Sequence, residues 1–211
     1  MPWFAPSYNV APQSIQPVVR LNQETGEPEF ALMRWGLIPY WAKDPKIGFT
    51  TINARAEEVT EKPLYREAMK RRRCLIPADA FYEWQRLSGE TKQPFAFGLQ
   101  SGELYAFAGL WERWKSKEGE ALETFSILTT DPNKLAERVH DRMPVILERC
   151  DYRRWMEPGD PTRLPIDLLR PFPAEKMRSW PVSQRVGNVR NDDADLLKAV
   201  EPEAASQGSL F

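Results

Sequence analysis

The chain contains one histidine, His140, within the segment HDRMP. Histidine is the side chain that most readily exchanges a proton near neutral pH, so His140 is the first candidate for acid–base chemistry. A helix before it would have to end at Pro144, which leaves the imidazole free to face a cleft. The alternative is a surface histidine that the helix dipole stabilises.

Two polar side chains, Asn53 and Arg55, are separated by one residue in the segment TINARAE. Residues two apart in an extended backbone lie on the same side, so this pair could hold one ligand. The alternative is that Arg55 forms an ion pair with Glu57 or Glu58. The sequence leaves both interpretations open.

A carboxylate, Glu83, stands between bulky aromatic residues in the segment FYEW. Loss of water around it would raise its pKa toward the range of a general base. The alternative is an outward-facing residue of an alternating strand.

Two cysteines, Cys74 and Cys150, complete the set of reactive side chains. Together with one histidine they cannot build a four-ligand zinc site, so we expect no metal site. Cys74, His140 and Asn53 could form a thiol-protease triad. However, Cys74 begins the apolar run CLIPA, which predicts a small buried residue at the start of a strand.

Most of the elements that must position these residues are strands. Nineteen prolines in 211 residues argue against a helical bundle. Short apolar runs separated by polar turns predict antiparallel strands. These predicted strands cover residues 18–21, 30–38, 74–78, 81–85, 94–99, 104–111 and 124–130, and residues 51–57 form an extended segment.

Four helices are predicted. The strongest signal begins at Asp131, which can cap a helix, continues with Pro132 in the first turn and ends before Pro144. The other three predicted helices cover residues 63–73, 151–156 and 166–170.

Composition indicates a globular, soluble protein. Hydrophobic residues make up 42% of the chain, enough for a sizeable core. No apolar run approaches the roughly 20 residues of a membrane span, and no secretory signal opens the chain, so we expect a cytoplasmic protein. Residues 191–211 contain five acidic residues and one lysine, which leaves a net charge of +3 on the rest. A weakly basic body permits nucleic-acid binding at a local patch.

Six motifs follow one another between residues 7 and 197, and their order is informative. They are YNVAP, RWGLIPYW, INARAE, CLIPADAFYEW, HDRMPVIL and WPVSQRVGNVRN. In this order they resemble the SOS response-associated peptidase family, whose members shield abasic sites in single-stranded DNA. The resemblance implies an α+β fold in which antiparallel sheets curl into a barrel-like core with peripheral helices. It also implies a DNA-binding groove and no cofactor.

The resemblance implies roles for the residues that form the site. In the family, a cysteine exposed by removal of the initiator Met attacks the ring-opened aldehyde of an abasic site, and its amine and thiol close a thiazolidine. By motif, Asn53 would position nucleophile and sugar, Glu83 would shuttle protons, and His140 would assist ring opening. Arg55 and Arg142 would hold phosphates. The bases beside the lesion would be framed by Pro12, Trp41 and Trp84.

The beginning of this chain departs from the family pattern. Family members begin Cys-Gly-Arg and continue through a helix-sized stretch before YNVAP, whereas this chain reaches Tyr8 after MPWFAPS. Three explanations stand: a shortened sequence whose complete form has the cysteine, a natural variant that binds without crosslinking, or an alternative nucleophile. Removal of Met1 would expose Pro2, a secondary amine that can form an iminium with an aldehyde.

The last five residues, Gln207 to Phe211, read QGSLF. They resemble the Q-x-x-L-F peptide with which bacterial repair proteins dock on the DNA polymerase sliding clamp. We therefore predict one domain over residues 1–197 and a flexible acidic tail over 198–211, with Gln207, Leu210 and Phe211 as clamp-binding residues.

The predicted function is binding of abasic sites in single-stranded DNA, with covalent linkage in the complete form. Two alternatives stay open: a thiol peptidase with His140 and Glu83 assisting, and a non-catalytic single-stranded DNA-binding module. We expect a monomer.

Overall fold

Eleven β-strands make up most of the regular structure in a computed structural model that describes residues 4–87 and 91–202. In chain order they are β1 (Ile15–Leu21), β2 (Pro28–Trp35), β3 (Asn53–Arg55), β4 (Arg73–Ala78), β5 (Phe81–Arg86), β6 (Lys92–Leu99), β7 (Tyr105–Lys115), β8 (Ala121–Thr130), β9 (Met143–Pro144), β10 (Ile146–Leu147) and β11 (Met177–Pro181). Two short α-helices accompany them, α1 (Arg66–Arg71) and α2 (Tyr152–Met156), and the other helical segments are 3-10 turns.

Five strands of the larger sheet pair in a ring, in the order β7, β4, β1, β2, β8 and back to β7. The β4–β7 and β7–β8 pairs are long and antiparallel, as short connections favour. Two links are short: β1 meets β4 only at Val19 and Leu75, and β2 runs parallel to β8 over two residue pairs. The sheet is therefore ring-like without being a complete barrel, and the predicted α+β class with curled, mainly antiparallel sheets is confirmed.

A second, three-stranded sheet carries the strands in the order β11, β6, β5. All its pairs are antiparallel, and β5 forms one edge. In the ring sheet, β3 forms an edge beside β8. The edges of two different sheets thus carry the segments FYEW and INARAE.

Alternation along the ring strands separates two buried layers. Phe107 of β7 and Phe125 of β8 point into one layer, whereas Leu110 and Leu128 point into the other, which α1 and α2 cover. Close packing in the first layer favours glycine at position 109 of β7, because a Cβ there would collide with the Ile76 Cδ1 atom and crowd the Cys74 sulfur. Because successive residues of β7 point into two different buried layers, both faces of this strand are apolar.

The predicted strands form, with shifted ends. The strand predicted over 30–38 ends at Trp35, because Gly36 turns the chain at a φ of 128°. A side chain at Gly36 would also collide with the Gly48 carbonyl oxygen, so the loop between β2 and β3 closes tightly at its base.

The prediction of a helix over 131–143 is wrong: this segment contains only a 3-10 turn, Ala136–Arg138. Just before this turn, the Asn133 side-chain oxygen accepts hydrogen bonds from the Leu135 and Ala136 amides. The Asn133 amide nitrogen is at the same time tied to the Phe172 carbonyl oxygen, 2.7 Å away. A contact remote in sequence therefore fixes this segment and overrides the local helix signal.

The other predicted helices are shorter than expected. The helix predicted over 63–73 covers only α1, because Arg73 already belongs to β4. The helix predicted over 151–156 is confirmed as α2, and the one over 166–170 is a 3-10 turn, Ile166–Leu168. Within residues 4–87 and 91–202, no helix is long and apolar enough to cross a membrane.

Ordered contacts continue past the expected domain boundary at residue 197. Ala199 forms a bridge with Val182, and the Val200 amide donates to the Pro181 carbonyl oxygen. Pro2, Gln207, Leu210 and Phe211 lie outside the described residues.

Candidate functional site

The exposed edge strand β3 presents two of the predicted site residues. Asn53 and Arg55 are exposed on either side of the buried Ala54, as their spacing requires. The parallel pairing of β3 with β8 sets Asn53 opposite Ile127 and Arg55 opposite Thr129. Both side chains therefore face outward from one rigid edge.

Glu83 lies near the middle of β5 and is half-buried. Its neighbours Tyr82 and Trp84 face the other side of the strand and pack in a small apolar cluster with Val186. Burial raises the pKa of Glu83, and the nearby His140 partly opposes that shift. Glu83 forms no ion pair with a lysine or arginine in the described part of the chain.

His140 lies two residues beyond the 3-10 turn, with 42% of its side chain exposed. The Arg142 backbone amide donates a hydrogen bond to the His140 Nδ1 atom over 3.0 Å. The same Nδ1 atom lies 3.3 Å from the Arg142 carbonyl oxygen, so both tautomers of the neutral imidazole have a backbone partner there. The Asp141 carboxylate, 3.1 Å from Nδ1, would pair with the ring when it is protonated.

The segment 138–142 holds His140 between the two sheets. On one side, the Gln85 side-chain amide of β5 donates to the Arg138 carbonyl oxygen over 2.9 Å. On the other side, Arg142 Nη2 donates to the Thr129 carbonyl oxygen of β8 over 2.7 Å. Because Thr129 lies opposite Arg55, this segment joins the strand that carries Glu83 to the edge that carries Asn53 and Arg55. We call the group Asn53, Arg55, Glu83, His140 and Arg142 the cleft.

The Arg142 guanidinium is surrounded by acceptors. Glu57 binds it with both carboxylate oxygens, at 2.8 and 3.1 Å, and Asp131 binds Nη1 at 3.0 Å. Arg55 attracts the same Glu57 carboxylate, although it makes no ion pair with it. The alternative in which Arg55 pairs with Glu57 or Glu58 is not realised, because Glu58 pairs with Lys62.

Pro12 and Trp41 lie in two segments that meet at the base of the loop between β2 and β3. Trp41 is 49% exposed and Pro12 is exposed. Between them, the Gln13 side-chain amide donates to the carbonyl oxygens of Trp35 and Gly48. The structure thus joins Pro12 to the loop that carries Trp41. Trp84, in contrast, faces away from Glu83 within its apolar cluster.

Some contacts between the motifs could not be found from motif spacing. Asp192 accepts hydrogen bonds from the Ser7 hydroxyl and from the Tyr8 and Asn9 amides, and so holds the first described segment. The Asn9 side chain donates to three carbonyl oxygens, including that of Asn191. The first and last motifs, YNVAP and WPVSQRVGNVRN, therefore bind each other, and the polar residues within them are the sequence signal for this contact.

The thiol-protease triad with Cys74 is not formed. Cys74 is fully buried in the ring and packs beneath Gly109, and burial raises the pKa of its thiol. A buried, protonated thiol is a poor nucleophile. Cys150 is exposed.

A second region of the surface does not coincide with the cleft. It is a groove of about 680 Å³ lined by both acidic and basic side chains. Arg20 stacks on Trp111 at 4.3 Å and pairs with Glu29 and Glu123, and Arg72 pairs with Glu112 at 2.7 Å. We call this the charged groove.

Comparison with known proteins identifies relatives along most of the chain. The SOS response associated peptidase family matches residues 1–189. The abasic site processing protein YoqW of Bacillus subtilis is 46% identical over 198 residues, which cover 93% of this chain and 87% of that protein. The abasic site processing protein HMCES of Xenopus tropicalis is 34% identical, over 93% of this chain and 67% of that protein.

A solved structure is similar as well. A protein from Bacteroides thetaiotaomicron has a TM-score of 0.80 and 30% identity, over 90% of this chain and 82% of that one. The fold described above is therefore shared with a protein solved by X-ray crystallography.

Proposed function

Because the chain belongs to the SOS response associated peptidase family, we propose that it binds abasic sites in single-stranded DNA and becomes covalently linked to them. The relatives described above are named abasic site processing proteins. One observation carries the proposal: a half-buried carboxylate, Glu83, lies close enough to His140 for electrostatic interaction, and His140 is on a segment that is tied to β5 and to the strand beside β3. In such a pair, one group can donate a proton while the other accepts one, at the atoms attached to a single reacting carbon.

The proposed chemistry divides the proton transfers between two side chains. An abasic sugar opens to an aldehyde when its ring C–O bond breaks, the ring oxygen gains a proton and the anomeric hydroxyl loses one; we assign the proton donation to the exposed His140 imidazole. Glu83 accepts a proton from the attacking amine, which its raised pKa favours. Asn53, exposed on β3, holds the sugar hydroxyls by hydrogen bonds.

The nucleophile remains a prediction with two candidates. In the family pattern it is an amino-terminal cysteine, whose amine adds to the aldehyde with loss of water and whose thiol then closes the ring. In this chain, Pro2 could form an iminium with the aldehyde, also with loss of water. An iminium is reducible by borohydride, whereas a thiazolidine survives without a reductant.

The DNA strand would be held by phosphates and by stacking. Arg55 is exposed and free to contact a phosphate, and Arg142 lies one strand away. Trp41 and Pro12 offer apolar surface to the neighbouring bases, and aromatic faces accept any base. Trp84 would contact a base only with the part of its ring that remains exposed.

A crosslinking gel combined with intact mass tests the proposal. The chain is incubated with single-stranded DNA bearing one abasic site, with and without borohydride. We expect an adduct that resists denaturation, and its mapped residue identifies the nucleophile. Absence of an adduct in both lanes, together with equal affinity for damaged and undamaged strands, would contradict the proposal.

The tail is a second part of the proposal. We propose that Gln207, Leu210 and Phe211 dock on the sliding clamp and bring the protein, as a cytoplasmic monomer, to replicating DNA. A fluorescent 12-residue peptide of the tail should show saturable binding to purified clamp. No binding, or equal binding by a peptide with Leu210 and Phe211 replaced by alanine, would contradict it.

A further inference from the structure

All the outward-facing donors of Arg142 are already in use. A guanidinium has five N–H groups, and four of them bind Glu57 twice, Asp131 once and the Thr129 carbonyl oxygen once. The fifth, on Nε, is buried and has no hydrogen-bond partner among the described residues. In this arrangement Arg142 cannot bind an added anion unless an acceptor leaves.

Glu57 is the acceptor whose departure from Arg142 would open a site for a phosphate. It belongs to the 3-10 turn Ala56–Glu58, directly after β3, and its side chain is 49% exposed. The Thr129 acceptor is main chain within a strand and cannot withdraw. Asp131 makes one contact with Arg142, whereas Glu57 makes two parallel ones, so departure of Glu57 frees the fork that fits a phosphate.

Two arginines converge on this one carboxylate. Arg142 binds Glu57 through both oxygens, and Arg55 attracts it from the adjacent strand. Hydrogen bonding to Arg142 lowers the pKa of Glu57, so the carboxylate is charged at neutral pH. The Arg142 fork holds this singly charged carboxylate as it would hold a phosphate diester, and Arg55 adds attraction at longer range.

We propose that Arg55 and Arg142 form an anion site that Glu57 occupies in the free protein, and that a DNA phosphate displaces Glu57 when the strand binds. This inference rests on the proposed function and adds to it a competition built into the site. Asp131 and the Thr129 carbonyl oxygen keep Arg142 in place during the exchange. The position of His140, which the Arg142 amide holds, is therefore preserved.

The competition has a measurable consequence. Every strand that binds must first break the Glu57–Arg142 pair, so strand affinity is lower than the two arginines alone would give. A glutamine at position 57 retains the size of the side chain and removes its charge. Glu57→Gln should therefore bind DNA more tightly than the unaltered protein.

The matched control is Glu58→Gln. Glu58 is the next residue of the same 3-10 turn and pairs with Lys62, not with Arg142. Both substitutions remove one negative charge at nearly the same place, so they share the long-range electrostatic gain. The difference between them isolates the competition for Arg142.

The experiment measures the dissociation constant of an undamaged single-stranded 15-mer by fluorescence anisotropy at one ionic strength. We expect Glu57→Gln to bind about fivefold more tightly than Glu58→Gln, as expected for one partly exposed ion pair. In an Arg142→Ala background, this difference should disappear.

Each other outcome overturns a stated claim. If the unaltered protein binds and Glu57→Gln equals or falls below Glu58→Gln, Glu57 does not compete with phosphate and the inference fails alone. A gain that persists in the Arg142→Ala background would likewise refute competition for Arg142. If neither the unaltered protein nor any variant binds the oligonucleotide, Arg55 and Arg142 do not form a phosphate site and the inference fails, whereas the crosslinking gel decides the proposed function separately.

Discussion

Two carboxylates that are withdrawn from water, Glu83 in the cleft and Glu112 in the charged groove, have opposite surroundings. Burial raises the pKa of both groups. Glu112, whose side chain is only 6% exposed, is paired with Arg72 at 2.7 Å. Glu83 has no such partner among the described residues and faces His140 instead.

The difference teaches which region can do chemistry. In the charged groove, each buried charge is compensated by a fixed neighbour, so these ions hold the fold together. In the cleft, burial raises the pKa of Glu83. No lysine or arginine among the described residues forms an ion pair with this carboxylate. The presence or absence of a paired cation separates the structural carboxylate from the one that we propose to be reactive.

The largest expected effect lies in the cleft. His140→Ala should slow formation of the abasic-site adduct by roughly 10²- to 10⁴-fold, because general acid catalysis contributes that much. Affinity for undamaged strands should not change, since the imidazole is proposed to act on the sugar. Single-turnover crosslinking and anisotropy measure the two quantities. An equal loss in both would assign His140 to binding.

A substitution in the charged groove should change the stability of the protein rather than its crosslinking rate. Arg72→Ala leaves Glu112 buried without its cation and should lower the free energy of unfolding by about 2 to 3 kcal/mol. Denaturant unfolding measures it, with Lys62→Ala as control. That substitution breaks an exposed pair with Glu58 and should cost about 0.5 kcal/mol or less. Similar costs in both variants would mean that the Arg72–Glu112 pair is not structural.

A smaller effect concerns the pH dependence of stability. The pKa of Glu83 is raised in the folded state. As the pH rises, Glu83 therefore ionises in the unfolded chain at a lower pH than in the folded chain. Ionisation of Glu83 therefore destabilises the native state at neutral pH. Glu83→Gln should be more stable than the unaltered protein at pH 7 and lose this advantage by pH 4.

Urea unfolding at the two pH values checks the sign. The surface substitution Glu137→Gln controls for the change in net charge. An advantage that is the same at both pH values would show that burial does not disfavour the charged form of Glu83.

The smallest effect distinguishes the arginines of the two regions. Arg55→Ala should lower the slope of log affinity against log salt by about 0.7, the value for one phosphate contact on a single strand. Arg113→Ala, in the charged groove, should leave the slope unchanged. Binding titrations of a single-stranded oligonucleotide at several salt concentrations measure both. An unchanged slope for Arg55→Ala would place Arg55 outside the DNA path.

Sequence reasoning succeeded where local rules decide the structure. The strands β4 to β8 follow from apolar runs and turns, and the common side of Asn53 and Arg55 follows from a spacing of two. It failed where a remote contact decides. Asn133 is fixed by Phe172, and this contact replaces the predicted helix with a single 3-10 turn.

The candidate site shows the same limit. Glu83 could be singled out because its aromatic neighbours are adjacent in sequence. The Glu57–Arg142 pair joins residues 85 positions apart, and the contact of Asp192 with Tyr8 spans 184. No periodicity or propensity encodes such pairs, because the folded chain brings together residues that are remote in sequence.

The most direct test of proton transfer in the cleft compares the two carboxylates in one assay. Crosslinking rates to single-stranded DNA with one abasic site are measured for the unaltered protein, Glu83→Gln and Glu112→Gln. We expect a loss of about 100-fold or more for Glu83→Gln, as for removal of a general base, and a rate within about threefold for Glu112→Gln. Equal rates for the two variants would contradict the assignment of proton transfer to the cleft.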